Sequence, residues 1–190
     1  MNDNLANEAI LQILNALNAA LSQPVWLFGG VAVDFLVGRW TRPHHDIDLN
    51  AYCDSRQQLT LELNSIGLFS ADQGWLTNWA KPDGRRVLEV VFMERGPDHS
   101  GVLAIPAEDV VGAPGRVQTL PGYLDPDRFA ELDGVRFRVC SPAGEWLARM
   151  RGSALVAGRV ITEPKVQHDL RLLEGLLTDA EMQELYKIVK

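Results

Sequence analysis

The sequence predicts an α/β chain of the α+β kind, in which a small mixed sheet is flanked by helices and followed by a helical C-terminal part. Three observations predict it. A short apolar run, Val25 to Phe28, is broken by Gly29-Gly30 and followed by the apolar stretch Val31 to Val37, closed by Gly38, so a strand feeds a helix through two glycines. Asp46-Ile47-Asp48-Leu49-Asn50 alternates strictly, and further β-rich runs follow it. From Ser141 onward the apolar spacing is largely helical.

Taken in order, Ile10, Ile13, Leu14, Leu17 and Leu21 recur at helical spacing behind Asp3 and Asn4, two candidate caps, and predict an amphipathic packing helix ended by Pro24. Trp26, in the strand that follows, reads as core. In the helix after the glycines, Asp34 stands among Val31, Val33, Phe35 and Leu36, and a structural ion pair to Arg39 or Arg42 accounts for it better than direct catalysis does. Asp54 or Ser55 caps a helix to about Ile66, ended by Gly67. Strands over Gly74 to Ala80 and Arg86 to Met93 flank Lys81-Pro82-Asp83-Gly84, a turn signal, and make a hairpin.

From Gly96 to Gly134 periodicity fades as Pro, Gly and Asp crowd in, the composition of a lid, a binding loop or mobile filler. Gly134 to Cys140 reads as a further strand. Ser141-Pro142 opens a helix carrying Trp146, Leu147 and Met150, and two more cover Val166 to Leu177 and Asp179 to Val189, the last behind a Thr178-x-x-Glu181 capping box. The expected organisation is a core over 1–96, an irregular segment and strand over 97–140, and a helical part over 141–190. Periodicity does not give strand order.

The chain has 190 residues and a formal net charge of −7, which disfavours a general grip on nucleic acid through counterion release and suits a cationic small partner. No apolar run approaches the ~20 residues that span a bilayer, and the N-terminus lacks the basic and apolar regions of a signal peptide, so no membrane partner and a cytoplasmic location are expected. Cys53 and Cys140 are far apart without metal-ligand spacing, and two buried thiols are expected. Composition does not separate a monomer from a homodimer.

The chemistry-bearing residues gather between Trp26 and Ala51. The strand–Gly29-Gly30–helix junction points backbone N–H groups and a positive helix end at one spot, a phosphate site in outline. A strand places Asp46, Asp48 and Asn50 on one face, where two like charges favour a cation between them, and hard oxygen ligands suit Mg2+ or Mn2+. An exposed edge strand with solvated aspartates is the competing reading. Pro43 biases Arg42 to an extended conformation, making it a candidate phosphate clamp. Glu89 shares a strand face with Val87, Val91 and Met93, and needs a metal, a cation or open water to stand there.

The run from Gly29 through D-x-x-x-G-x-x-T-R-x-H-x-D-I-D, carried here by Asp34, Gly38, Thr41, Arg42, His44, Asp46 and Asp48, resembles the nucleotidyltransferase superfamily. Within it, the likeness is to antibiotic-modifying enzymes of the aminoglycoside-2''-adenylyltransferase and lincosamide nucleotidyltransferase type. The resemblance implies an enzyme that moves AMP, or another NMP, from a nucleoside triphosphate, ATP foremost, to a hydroxyl of a small cationic antibiotic, with release of pyrophosphate. It implies two Mg2+ ions, or Mn2+, held by Asp46, Asp48 and a third acid, Glu89, which serves as metal ligand or general base. Gly29, Gly30 and Arg42 would hold phosphates. His44 matches the family's histidine by its spacing to Asp46; Lys165, in K-V-Q-H-D-L, resembles its triphosphate lysine, and His168 is carried with it. An aminoglycoside is the leading acceptor and a lincosamide the second, with Tyr123 placed to pack on a sugar ring and Glu108, Asp109, Asp125, Asp127, Glu131 and Asp133 to attract ammonium groups. A nucleotidyltransferase-type antitoxin or other protein-binding module is the reading from a different class.

Overall fold

A computed structural model describes residues 4–72, 74–105, 115–155 and 163–189. The apolar stripe of the N-terminal segment folds as α1 (Asn7–Ala20), which buries Ile10, Ile13, Leu14 and Leu17. Each such side chain removed from water contributes about 1.5–3 kcal/mol. The cap position of α1 is Ala6, and no side chain caps it, so Asn4 does not act as predicted; Asp3 lies outside the described residues. The junction predicted from Gly29-Gly30 is present as β1 (Trp26–Phe28) running directly into α2 (Gly29–Val37), with both glycines in the helix's first turn. Gly38 closes α2 in the left-handed region at φ +76°, its N–H donating to the Asp34 carbonyl at 2.8 Å.

Strand β2 (Ile47–Tyr52) is antiparallel to β1 and is followed by a short 3-10 turn, Cys53–Ser55, and by α3 (Arg56–Ser65). Neither Asp54 nor Ser55 caps α3; the Ser55 hydroxyl donates back to Tyr52 O at 2.7 Å. The predicted hairpin is β3 (Leu76–Ala80) with β4 (Arg86–Arg95), and β4 lies parallel to β2 on its other side. Three strands also lie in the stretch where periodicity fades: β5 (Gly101–Ile105), β6 (Gly115–Gln118) and β7 (Phe129–Leu132). The first two extend the sheet, whose order is β1-β2-β4-β5-β6 with β3 on the first half of β4. Strand β7 forms its own hairpin with β8 (Val135–Arg138), and β8's continuation docks on β1 through a parallel bridge between Leu27 and Val139.

Helices α4 (Pro142–Leu155), α5 (Pro164–Glu174) and α6 (Asp179–Val189) form the C-terminal part. The Thr178/Glu181 capping box is present: the Thr178 N–H donates to Glu181 Oε2 at 2.8 Å and the Glu181 N–H to Thr178 Oγ1 at 3.3 Å. Strand alternation divides the interior. Leu27, Ile47, Leu49, Leu88, Val90 and Phe92 face the main core with α1, α3 and Val31 and Phe35 of α2. The other sheet face carries Trp26, Tyr52, Val91 and Met93 against Tyr123, Leu124 and Cys140. A third cluster joins Val33 of α2 to Trp146, Leu147, Leu170, Leu173 and Leu185, so α2 is gripped between the sheet and the C-terminal helices. Cys140 is buried as expected, but Cys53 is exposed, because it leaves the strand in the turn before α3. No helix among the described residues is long and apolar enough to cross a membrane.

Candidate active site

The site forms where β1 ends. Antiparallel pairing sets Phe28 opposite Asp48, and parallel pairing sets Asp48 opposite Glu89, so two carboxylates from different parts of the chain stand beside each other on one sheet face. Asp46, two residues before Asp48, is on that face as well. The adjoining half of the face is the apolar cluster around Trp26, Tyr52 and Val91. Above Asp48 sits Gly29, at φ +73°, and a Cβ placed there would lie 2.0 Å from Asp48 Oδ2. A Cβ on Gly30 would lie 2.2 Å from the Arg42 guanidinium and 2.8 Å from His44 Nδ1. Both glycines are therefore required by the close approach of the protein's own polar side chains.

Behind this turn lies a buried ion network. Glu145 of α4 is fully enclosed, and accepts from the Gly29 N–H at 3.0 Å, from the Tyr123 hydroxyl at 2.9 Å and from Arg149 at 2.6 Å. Arg149 also reaches Asp169 of α5 at 3.2 Å, and Asp169 receives Arg42 in a two-pronged pair at 3.1 Å and 3.1 Å. Burial alone would lower the Arg149 pKa, but the Glu145 and Asp169 carboxylates overcome it and raise the value, keeping the guanidinium charged. Burial, then the neighbouring Cys140 and Glu145, push the Tyr123 phenol well above its usual range, so it acts as a hydrogen-bond donor.

Burial first, and then the charges of Asp46 and Glu89, raise the Asp48 pKa from 3.8 to about 8, with Arg149 pulling the other way. Asp48 keeps part of its surface in water, so its desolvation is incomplete. Asp46 is held by Arg86 at 2.6 Å, and Arg86 is braced by Asn78 at 2.9 Å. With Asp46 engaged there, no three carboxylate, imidazole or thiol side chains among the described residues converge into a ready-made metal cage. The donor chemistry nevertheless fits a divalent cation: the oxygens are hard, and a carboxylate kept from ionising by burial and by its neighbours' charge is one that a cation would relieve.

The structure gives the remaining predicted residues definite places. His44 is buried, and its Nε2 lies 2.6 Å from Asp34 Oδ2, while Thr41 donates to Asp34 Oδ1 from both its hydroxyl, at 2.5 Å, and its N–H, at 3.1 Å. The partner of Asp34 is thus His44, with neither Arg39 nor Arg42 in the expected role, because the loop folds back across α2. Arg42 lies between Gly30 and Asp169. Lys165 is exposed in the first turn of α5, 3.4 Å from Glu163, and lies one helical turn before Asp169 on the same stripe. His168 is half-buried, with Nε2 enclosed and without a hydrogen-bond partner among the described residues. Tyr123 is 2% exposed and is a core residue beneath the carboxylates, with no surface for a sugar ring. Of the acidic residues that are described, Asp125 and Asp133 have separate partners. Asp125 pairs with Arg128, and Asp133 accepts from Trp40 Nε1 at 2.7 Å, past the far end of α2; Glu108 and Asp109 lie outside the described residues.

Two central residues, Glu145 and Arg149, escape sequence reasoning. Spaced four apart on a helix, they read as an ordinary surface ion pair; the available signal is their place beside Trp146 and Leu147 on an apolar helix face.

The structure is similar to that of the lincosamide antibiotic adenylyltransferase LnuA with lincomycin bound (19% identity, TM-score 0.65, covering 92% of this chain and 99% of that one). It is also similar to ANT(2'')-Ia in complex with adenylyl-2''-tobramycin (20% identity, TM-score 0.66, covering 96% and 95%). The solution structure of the antibiotic-resistance factor ANT(2'')-Ia matches with 18% identity and a TM-score of 0.69, covering 95% and 90%. No curated protein sequence is significantly similar to the chain. The family model for aminoglycoside-2''-adenylyltransferase matches residues 9–153, which include β1, both glycines, Asp46, Asp48, Glu89 and Glu145. The chain therefore belongs to the aminoglycoside-2''-adenylyltransferase family of antibiotic-modifying nucleotidyltransferases.

Proposed function

We propose that the protein transfers AMP from ATP to a hydroxyl of a cationic antibiotic, an aminoglycoside foremost, and that pyrophosphate leaves. The observation that carries this reading is the registration of Asp48 against Glu89, with Asp46 on the same face. Asp46 and Asp48 would hold Mg2+, with Glu89 as the third acid. Bound there, two divalent ions supply charge stabilisation at the attacking and leaving oxygens of an in-line displacement. Glu89 faces the acceptor hydroxyl as its proton acceptor or completes the metal site. Arg42, paired with Asp169, and Lys165, one helical turn before Asp169 on α5, supply positive charge for the β- and γ-phosphates, with His44 buttressing Arg42 and His168 in the next turn beyond Lys165. Because Glu145 occupies the Gly29 amide, Gly29 contributes close approach, and the remainder of α2's first turn contributes the positive helix end.

On this reading the core over 1–96 carries catalysis, 97–140 lies toward the acceptor, and 141–190 closes over the nucleotide. A cationic acceptor is favoured by the net charge of −7 and by the carboxylates of the site itself, since Asp125 and Asp133 of the irregular segment are engaged with Arg128 and Trp40. The test is pyrophosphate release with kanamycin-like, spectinomycin-like and lincosamide acceptors at low and high salt. Turnover on aminoglycosides that falls with salt is expected. Turnover confined to weakly charged acceptors, without salt dependence, would move the assignment to a lincosamide enzyme. Glu89→Gln separates the two roles of that residue: loss of chemistry with metal affinity kept marks the base, and loss of both marks a ligand.

A further inference from the structure

We infer that Glu145 is a positioning residue for transfer: by gripping the Gly29 amide from α4, it holds the β1–α2 turn against Asp48 and thereby sets where that carboxylate stands. This rests on the reading of Asp48 as a metal-holding carboxylate. A fully enclosed carboxylate is costly to maintain, and Glu145 offsets that cost by accepting from a backbone amide, a phenol and a guanidinium at once. The N-terminus of α2 has no local cap, because the cap position is Phe28 and offers no side-chain oxygen. A residue 116 positions away supplies the acceptor instead. Gly29 has no side chain, and Asp48 Oδ2 stands where its Cβ would be, so a displacement of Gly29 opens or closes the space that confines the Asp48 carboxylate. Arg149 and Asp169 in turn fix Glu145 from α4 and α5, tying the C-terminal helices to the catalytic strand.

A cap with a purely structural role would alter stability and nothing else, which makes the proposal testable. Glu145→Gln preserves shape and removes the charge. Three readouts are taken: Mn2+ affinity by calorimetry, kcat and KM for ATP, and the NMR resonances of the Gly29 amide and the Asp48 side-chain carboxyl. Supporting partners of a metal site cost 10–100-fold in affinity or activity when lost. A fall of roughly that size is expected in Mn2+ affinity and in kcat, with KM for ATP changed by less than about threefold and both resonances shifted. Wild-type kcat and Mn2+ affinity in a folded, less stable variant would overturn the proposal. If Glu145→Gln does not fold, Tyr123→Phe, which removes a single donor to Glu145, decides: a several-fold loss of kcat supports the proposal, and unchanged kcat with an unmoved Asp48 resonance overturns it. The two resonances are read without metal or turnover. A wild-type protein that binds no Mn2+ would therefore defeat the functional reading, while the movement or stillness of the Asp48 signal in Tyr123→Phe, which leaves the Glu145 charge in place, would still decide the positioning claim.

Discussion

Asp48→Asn should make the metal-free protein more stable while abolishing transfer. The folded-state pKa of Asp48, about 8, is raised above its ordinary 3.8 by burial and by Asp46 and Glu89. Between those values the folded protein holds a proton that the unfolded chain has released, so the protonated group's contribution is complete below pH 4 and is lost as pH rises through about 8. Linkage at about 1.4 kcal/mol per pH unit sets the cost of the wild-type carboxylate at no more than about 4.5 kcal/mol at pH 7 and about 2 kcal/mol at pH 5. Asp48 keeps some contact with water, and solvent screening reduces both figures, so the expected gain for the Asn variant is about 1–3 kcal/mol at pH 7. The assay is urea unfolding with a chelator present at pH 4, 5, 7 and 8. The gain should be near zero at pH 4 and grow with pH. Mg2+ with ATP should then reverse the order, because ligand binding to the folded state stabilises the wild type and not the variant. An Asn variant that is less stable at every pH, or whose gain does not depend on pH, would refute the placement of Asp48 among repelling charges.

Gly29→Ala should cost about 1–2 kcal/mol for a side chain in the left-handed region, and should lower turnover further by pushing Asp48 aside, since the new Cβ meets Oδ2 at 2.0 Å; urea unfolding and pyrophosphate release measure the two effects. Arg42→Ala and Lys165→Ala should each weaken ATP binding by about 1.5–3 kcal/mol and AMP binding by less, as calorimetry with the two nucleotides would show. Equal losses for ATP and AMP would place these residues away from the β- and γ-phosphates. Arg42→Ala should also leave Asp169 paired, through Arg149, so its fold should persist.

Elements whose signals are local are legible in the residues alone. Apolar spacing marks α1, Gly29-Gly30 marks the β1–α2 junction, alternation puts Asp46 and Asp48 on one face, and Thr178 with Glu181 marks the start of α6. Each depends on residues within a few positions of one another, where backbone geometry is decided by steric and hydrogen-bonding rules. The strands β5 and β6 were not legible, because β6 has a single large apolar residue, Val117, in an alternately exposed strand, and it is defined by pairing with β5. The packing of the whole chain sets Asp48 against Glu89, since register between distant strands follows from how two sheet faces bury their apolar rows. It also decided that Tyr123 is core, that Asp34 belongs to His44, and that Glu145 and Arg149 are buried. A charge's role depends on what encloses it, and enclosure is a property of packing between segments far apart in the chain, 116 residues for Gly29 and Glu145 and 127 for Arg42 and Asp169.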